Sequence, residues 1–176
     1  MNFNCELDEC TSTNDLVKRL GEAGLPSETW ISAREQTRGR GRLRRAWKSH
    51  AGNLHLSVLV RLQDRTLWTW LPLAAGVAAC RTVETWVGPD QVKIKWPNDL
   101  LVGDKKLGGI LCEGSAGGRG GAFIVVGLGI NCAHTPELET QEHEMEWEPQ
   151  GTQHYEPVSL ADLVKGVLPT CHEVRT

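Results

Sequence analysis

The sequence predicts an α+β fold, a mixed β-sheet flanked by helices, and three observations predict it. Alternating or continuously apolar runs at 29–34, 54–62, 92–96 and 122–130 have the period and length of strands. Apolar spacing near 3.6 residues marks helices close to each end and one long helix over 67–86. Residues 99–102 and 106–112 flank Gly103-Asp104, a hairpin-type turn, so at least part of the sheet is antiparallel.

In chain order, Thr11, Ser12, Thr13 and Asn14 crowd helix-capping residues ahead of Leu16, Val17 and Leu20, and Gly21 or Gly24 closes the segment. Taken alone, Ser12 to Asn14 read as a cap. Residues 29–34, TWISAR, form a strand leading into 36–47, QTRGRGRLRRAW, and 54–62 form the strand beyond it. The loop between them sets Arg34, Arg38, Arg40, Arg42, Arg44, Arg45 and Lys48 against the single acid Glu35, with Gly39 and Gly41 interleaved. That much like charge has no apolar face to bury, so the segment reads as an anion-binding loop without regular structure. The helix over 67–86 tolerates Pro72 in its first turn, and its tryptophans read as core. Gly88-Pro89-Asp90 ends it, and Val92, Ile94 and Trp96 alternate with Lys93 and Lys95 as a strand stopped by Pro97-Asn98. GSAGGRGG at 114–121 is a flexible connection to the apolar strand 122–130, which has an internal strand's composition. Glu137, Glu139, Glu142, Glu144, Glu146 and Glu148 mark an exposed acidic loop, and Leu160, Leu163, Val164, Val167 and Leu168 a last helix stopped by Pro169.

A length of 176 residues suits one domain over 1–176, and 40% apolar with 23% charged residues is ordinary for a globular fold. The net charge of −3 confines the basic character to the loop and disfavours nucleic acid or an anionic membrane as partner of the whole chain. Six cysteines lack CxxC or Cys/His spacing, which points to reduced thiols in a cytoplasmic protein rather than a structural metal. The N-terminus, with Glu6, Asp8 and Glu9, is not a signal peptide, and no run is long and apolar enough for a membrane span.

The loop carries neither GxxxxGK[ST] nor GxGxxG, since Arg44 stands where the latter has its last glycine. What it offers is backbone N–H groups at Gly39 and Gly41 and guanidinium groups at Arg40, Arg42 and Arg45, which chelate phosphate. Brought near Asn98, Asp99 and Lys106, such a loop suits nucleotide activation. Arginines neutralise triphosphate charge, an acid holds Mg²⁺, and a lysine bridges an attacking carboxylate and the α-phosphate.

GRGR with Trp47 beyond it, GNLHLS at 52–57, KWPNDLLVGDKKLGGIL at 95–111 and GLGIN at 127–131 resemble, in order and spacing, the catalytic domain of the biotin protein ligase (biotin–[acetyl-CoA carboxylase] ligase) family. The match runs from about Cys10 to Asn131, and KWPND with its downstream lysine separates it from the related lipoate ligases. The resemblance implies the biotin/lipoate ligase type of α+β fold, and a cytoplasmic and often dimeric enzyme. It implies activation of biotin with MgATP to biotinyl-5′-AMP, followed by transfer to a lysine of a biotin carboxyl carrier protein. Carried over by position, it implies biotin contacts at Ser12, Thr13, Asn14, Gln36, Gly39, Arg40, Gly41, Arg42, Lys106 and Gly109. It implies nucleotide contacts at Arg40, Arg42, Arg45, Trp47, Asn98, Asp99 and Asn131, with Asp99 as the Mg²⁺ candidate and Lys106 and Arg42 as the catalytic pair. The sequence departs from the pattern at Arg44, which replaces a loop glycine, and at His55, where an aromatic residue is common and which reads as a strand side chain. No N-terminal DNA-binding helix-turn-helix and no C-terminal small barrel are recognised, so no operator binding is expected. The alternative reading is a catalytically weakened biotin-binding module, or an RNA-binding one that uses the Arg/Gly loop on phosphate backbones.

Overall fold

The computed structural model describes residues 3–137 and 155–164. Its frame is a seven-stranded sheet in the order β1-β2-β3-β7-β6-β5-β4. The strands are β1 Asn4–Cys10, β2 Trp30–Gln36, β3 Leu54–Val60, β4 Val92–Lys95, β5 Asp99–Val102, β6 Lys105–Ser115 and β7 Phe123–Ile130. Only the β1/β2 pair is parallel; the others run antiparallel, which makes the sheet mixed, as expected. The internal strand foreseen at 122–130 is β7, held between β3 and β6.

Helices lie on both faces. The helix α1, Thr13–Glu22, packs Val17 against Ile31, Leu59, Phe123 and Val125. Its approach is close enough that a Cβ at Gly21 would sit 2.6 Å from the Phe123 ring. On the other face α2, Leu71–Val87, places Ala79, Cys80 and Val83 over Leu54, Leu100, Leu107 and Ile130. Residues 155–164, ending in the short helix α3, Leu160–Leu163, complete that core with Val158 and Leu160. Arg61 closes the open end of the α1 layer. It donates to the carbonyls of Gly21, Leu25, Gly120 and Gly121 at 2.7–3.0 Å and lies over the Phe123 ring.

The structure adds one strand that the sequence did not mark and corrects the readings of 67–86 and of Trp96. The acidic N-terminus forms β1, whose alternation of exposed Glu6 and Asp8 with half-buried Cys5 and Leu7 is a strand pattern. The 67–86 segment begins as a 3₁₀ helix, Arg65–Trp70, before α2 starts with Pro72 in its first turn. Its face is less buried than its apolar content implied: Trp70 is 64% exposed, and Leu73 and Val77 also face outward. Trp96 falls past the end of β4, at a cis Trp96–Pro97 bond, and is 80% exposed. Most of the acidic 137–148 stretch and residues 165–169 of the expected last helix lie outside the described residues. No described helix is long and apolar enough to cross a membrane.

Candidate active site

The site is built on a patch of sheet without side chains. Where β6 pairs with β7, Gly109 faces Gly129 and Leu111 faces Gly127. Two side chains occupy the space this leaves on the α1 face. A Cβ at Gly129 would lie 2.6 Å from Cε2 of Trp47, and one at Gly127 would lie 2.2 Å from Oδ1 of Asn14. The floor thus has an Asn14 half, under the start of α1, and a Trp47 half, open toward β5.

In the first half Ser12, Thr13 and Asn14 are all buried. Ser12 is the N-cap residue by position, yet its side chain makes no capping bond, so the simple cap reading is overturned. The helix start is satisfied from outside: Gln36 Oε1 accepts the Thr13 N–H at 2.8 Å and the Thr13 hydroxyl at 3.1 Å. The Gln36 amide in turn donates to Ser49 Oγ at 2.9 Å. The Ser57 hydroxyl lies 2.7 Å from Thr13 Oγ1 and 2.6 Å from Asn14 Oδ1. The Asn14 amide donates to Glu113 Oε2 at 2.7 Å and to the Leu111 carbonyl at 3.3 Å. The result is a buried row of hydroxyls and amides, which suits a ligand with both donors and acceptors.

In the second half Lys106 Nζ lies 2.9 Å from Asp99 Oδ1 and 5.8 Å from the Trp47 ring centre. An irregularity in the strand register brings them together. Asp99 pairs with Gly109 and Leu100 with Gly108, but Leu101 pairs with Lys106, so Leu107 is an extra residue in β6. Without that bulge Lys106 would share the α2 face with Gly108. With it, Leu107 enters the α2 core and Lys106 turns to the Asp99 and Gly109 side. Trp47, Lys106 and Asp99 surround Gly109, and Arg42 of the loop donates to Oδ1 of the adjoining Asn98 at 3.1 Å. The Trp47 indole N–H and Asn131 Oδ1 are buried without a hydrogen-bond partner.

The loop is more regular than its composition suggested. Arg40 and Ala46 form an antiparallel bridge, the Trp47 N–H donates to the Gly39 carbonyl at 2.9 Å, and residues 42–44 make a 3₁₀ turn. Gly41 therefore does not offer a free N–H to an anion: it donates to the Arg45 carbonyl at 2.8 Å. Gly39 is needed for close packing, because a Cβ there would meet the Trp47 carbonyl at 2.5 Å. Leu43 and Arg44 take left-handed φ values of 56° and 60°, so the glycine-type backbone persists with an arginine in it. Arg45 is half-buried. Arg40 does not face Lys106; its guanidinium is turned to Asp15 and Glu113. Asn131 is buried, its amide spent on the Val158 carbonyl at 3.1 Å and near the Lys106 carbonyl at 3.5 Å. His55 is a buried strand residue, as read from the sequence, and burial pushes its pKa down to about 4.

Sequence reasoning did not single out Asp15, Ser49, Ser57 or Glu113. Ser57 ends the GNLHLS stretch but is given no role there, and the other three join the site only through helix placement, loop return or sheet pairing. A metal is offered one carboxylate here, Asp99. Among the described residues no group of three His, Cys, Asp or Glu side chains converges. A single carboxylate with phosphate oxygens is an ordinary way to hold Mg²⁺, so the donor set fits a nucleotide-borne ion rather than a resident one.

The model of the family described as Biotin/lipoate A/B protein ligase family matches residues 7–131. The chain is 38% identical over 128 residues to the biotin–[acetyl-CoA-carboxylase] ligase of Paracoccus denitrificans, covering 72% of this chain and 53% of that protein. Among solved structures it is similar to the biotin protein ligase of Leishmania major in complex with biotinyl-5-AMP, with a TM-score of 0.76 at 26% identity over 98% of this chain and 70% of that one. It is also similar to that of Aquifex aeolicus in complex with biotin and ATP, with a TM-score of 0.73 at 28% identity over 99% and 66%. The chain spans about half the length of the curated relatives it matches.

Proposed function

The chain belongs to the biotin/lipoate A/B protein ligase family, and from that premise we propose that it activates biotin with MgATP and passes it to a lysine of a biotin carboxyl carrier protein. The observation that carries this reading is the convergence of Lys106, Asp99 and Trp47 around the bare Gly109, with Arg42 bonded to the adjoining Asn98, beside the buried Ser12, Thr13 and Asn14 and the half-buried Gln36. The two halves suit the two ends of an adenylation. The row of hydroxyls and amides suits the ureido ring of biotin, with its N–H donors and carbonyl acceptor.

The biotin carboxylate would lie toward Lys106, whose ammonium neutralises it and the α-phosphate together. Carboxylate oxygen attacks the α-phosphorus in line, pyrophosphate leaves, and a mixed anhydride with AMP remains. Arg42 faces the charge that develops on the phosphate, and Trp47 supplies a flat surface with an unpartnered N–H. Asp99 would hold the Mg²⁺ of MgATP, which would supply neutralisation of the triphosphate charge when bound. In the second step a carrier lysine attacks the anhydride carbonyl and AMP leaves. Arg45 and Asn131 are assigned to the nucleotide side on the family pattern alone.

The test is biotin-dependent exchange of labelled pyrophosphate into ATP. Exchange is expected in the unaltered chain and a loss of at least about a hundredfold in Lys106→Ala, with an unchanged circular dichroism spectrum. Biotin-independent, salt-sensitive retention of RNA without exchange would favour the RNA-binding reading instead.

A further inference from the structure

Glu113 joins the two parts of the site that bear on biotin. Its Oε2 accepts from the Asn14 amide at 2.7 Å and from Arg40 Nη2 at 2.8 Å, while its Oε1 receives Arg40 Nη2 at 3.1 Å and Nε at 3.4 Å. Asp15 takes the other side of the same guanidinium, at 2.9 Å from Nη1 and 2.7 Å from Nη2, and Ser12 Oγ accepts from Nη1 at 3.2 Å. Two carboxylates on one guanidinium occupy both edges of its planar fork. The hydrogen bond to Asp15, with the contacts to Glu113, holds the Arg40 pKa above its ordinary value. Turning Arg40 toward a phosphate would leave Asp15 and Glu113 as unneutralised like charges beside Asn14. A carboxylate also only accepts hydrogen bonds, so Glu113 dictates which end of the Asn14 amide faces it and leaves Oδ1 for Ser57.

We propose that Glu113 is a positioning residue for biotin recognition. It fixes the Asn14 amide and pins Arg40 as the anchor of the basic loop, so that Arg42, beyond Gly41, meets the phosphate. The inference rests on the biotin-activating reading and changes it in one respect: Arg40 serves the biotin side through Asn14 and Ser12 and is not a phosphate ligand. The sequence alone grouped Arg40 with Arg42. The structure separates them, since Arg42 is exposed and reaches Asn98 of the Lys106 half.

The experiment compares the unaltered protein with Glu113→Gln, Arg40→Met and the double variant. It reads biotin affinity by calorimetry without ATP, the KM for biotin and for ATP in pyrophosphate exchange, and the rate of tryptic cleavage after Arg40 relative to Arg42. Expected are biotin affinity about tenfold weaker in Glu113→Gln, an ATP KM within about twofold, and a double variant no worse than the weaker single one. In Glu113→Gln, which keeps the arginine, cleavage after Arg40 rises several-fold. An ATP KM that rises as much as the biotin KM in Arg40→Met makes Arg40 a phosphate ligand and overturns the proposal. So does unchanged biotin affinity in Glu113→Gln. Should Glu113→Gln unfold, Asp15→Asn, a half-buried position in the first turn of α1, opens the same clamp and must speed cleavage after Arg40. If the unaltered chain neither bound biotin nor exchanged pyrophosphate, the functional reading would fall, and tryptic cleavage would still decide the clamp: equal rates after Arg40 in Glu113→Gln and the unaltered protein reject it.

Discussion

Arg44 shows how a single residue carries a conflict between sequence and backbone. Its φ of 60° follows Leu43 at 56°, and two successive left-handed non-glycine residues are strained. Arg44→Gly is expected to stabilise the fold by about 0.5–1 kcal/mol in urea titration, relief of strain exceeding the entropy glycine returns to the unfolded chain. A destabilised Arg44→Gly would mean that the arginine makes a compensating contact. His55 is a second such residue: burial lowers its pKa from 6.5 to about 4, and its Nδ1 has no partner. The unfolded chain then binds the proton first, so stability is full above about pH 6.5 and falls as the pH drops toward 4. Between pH 7.5 and 5 the loss from this residue is about 2 kcal/mol, and in His55→Phe the corresponding part of the pH dependence should vanish. An unchanged pH dependence of the urea midpoint in that variant would refute the assignment.

At the scale of elements the glycine floor and the β6 bulge do most to shape the site. Gly127 and Gly129 lie on one strand and on one face, but each is covered by a different side chain, Asn14 or Trp47. The two alanine variants should therefore separate the functions. Gly127→Ala displaces Asn14 and should weaken biotin binding at least tenfold, whereas Gly129→Ala displaces Trp47 and should raise the ATP KM with biotin affinity nearly unchanged. Equal effects of both variants on both substrates, measured by calorimetry and pyrophosphate exchange, would contradict this division. The GLGIN run was legible in the sequence, but which glycine opposes which side chain depends on pairing with β6 and on the return of the basic loop.

Across the whole molecule, the site is braced from residues distant in sequence. The Lys106 N–H donates to the Glu156 carbonyl at 2.7 Å and the Lys106 carbonyl accepts from Val158 at 2.9 Å, while Val158 and Leu160 are buried in the α2 core. Leu160→Ala is expected to cost about 3 kcal/mol in chemical denaturation, as for a large-to-small change at a closed core position. A loss below about 1 kcal/mol would show that this segment is not part of the cooperative core. By itself the sequence determined the class of fold, most strand positions and the crowding of arginines between β2 and β3, because period, turn residues and charge are local properties of the chain; Ser12 and Gln36 are singled out by family resemblance, since their local reading is a cap and a strand end. Only the tertiary structure decided that β1 joins the sheet, that an extra residue at Leu107 turns Lys106 toward Asp99, and that Arg40 is held by Asp15 and Glu113. The physical reason is that strand register and ion pairing between distant segments are settled by packing across the sheet, where a shift of one residue exchanges its two faces.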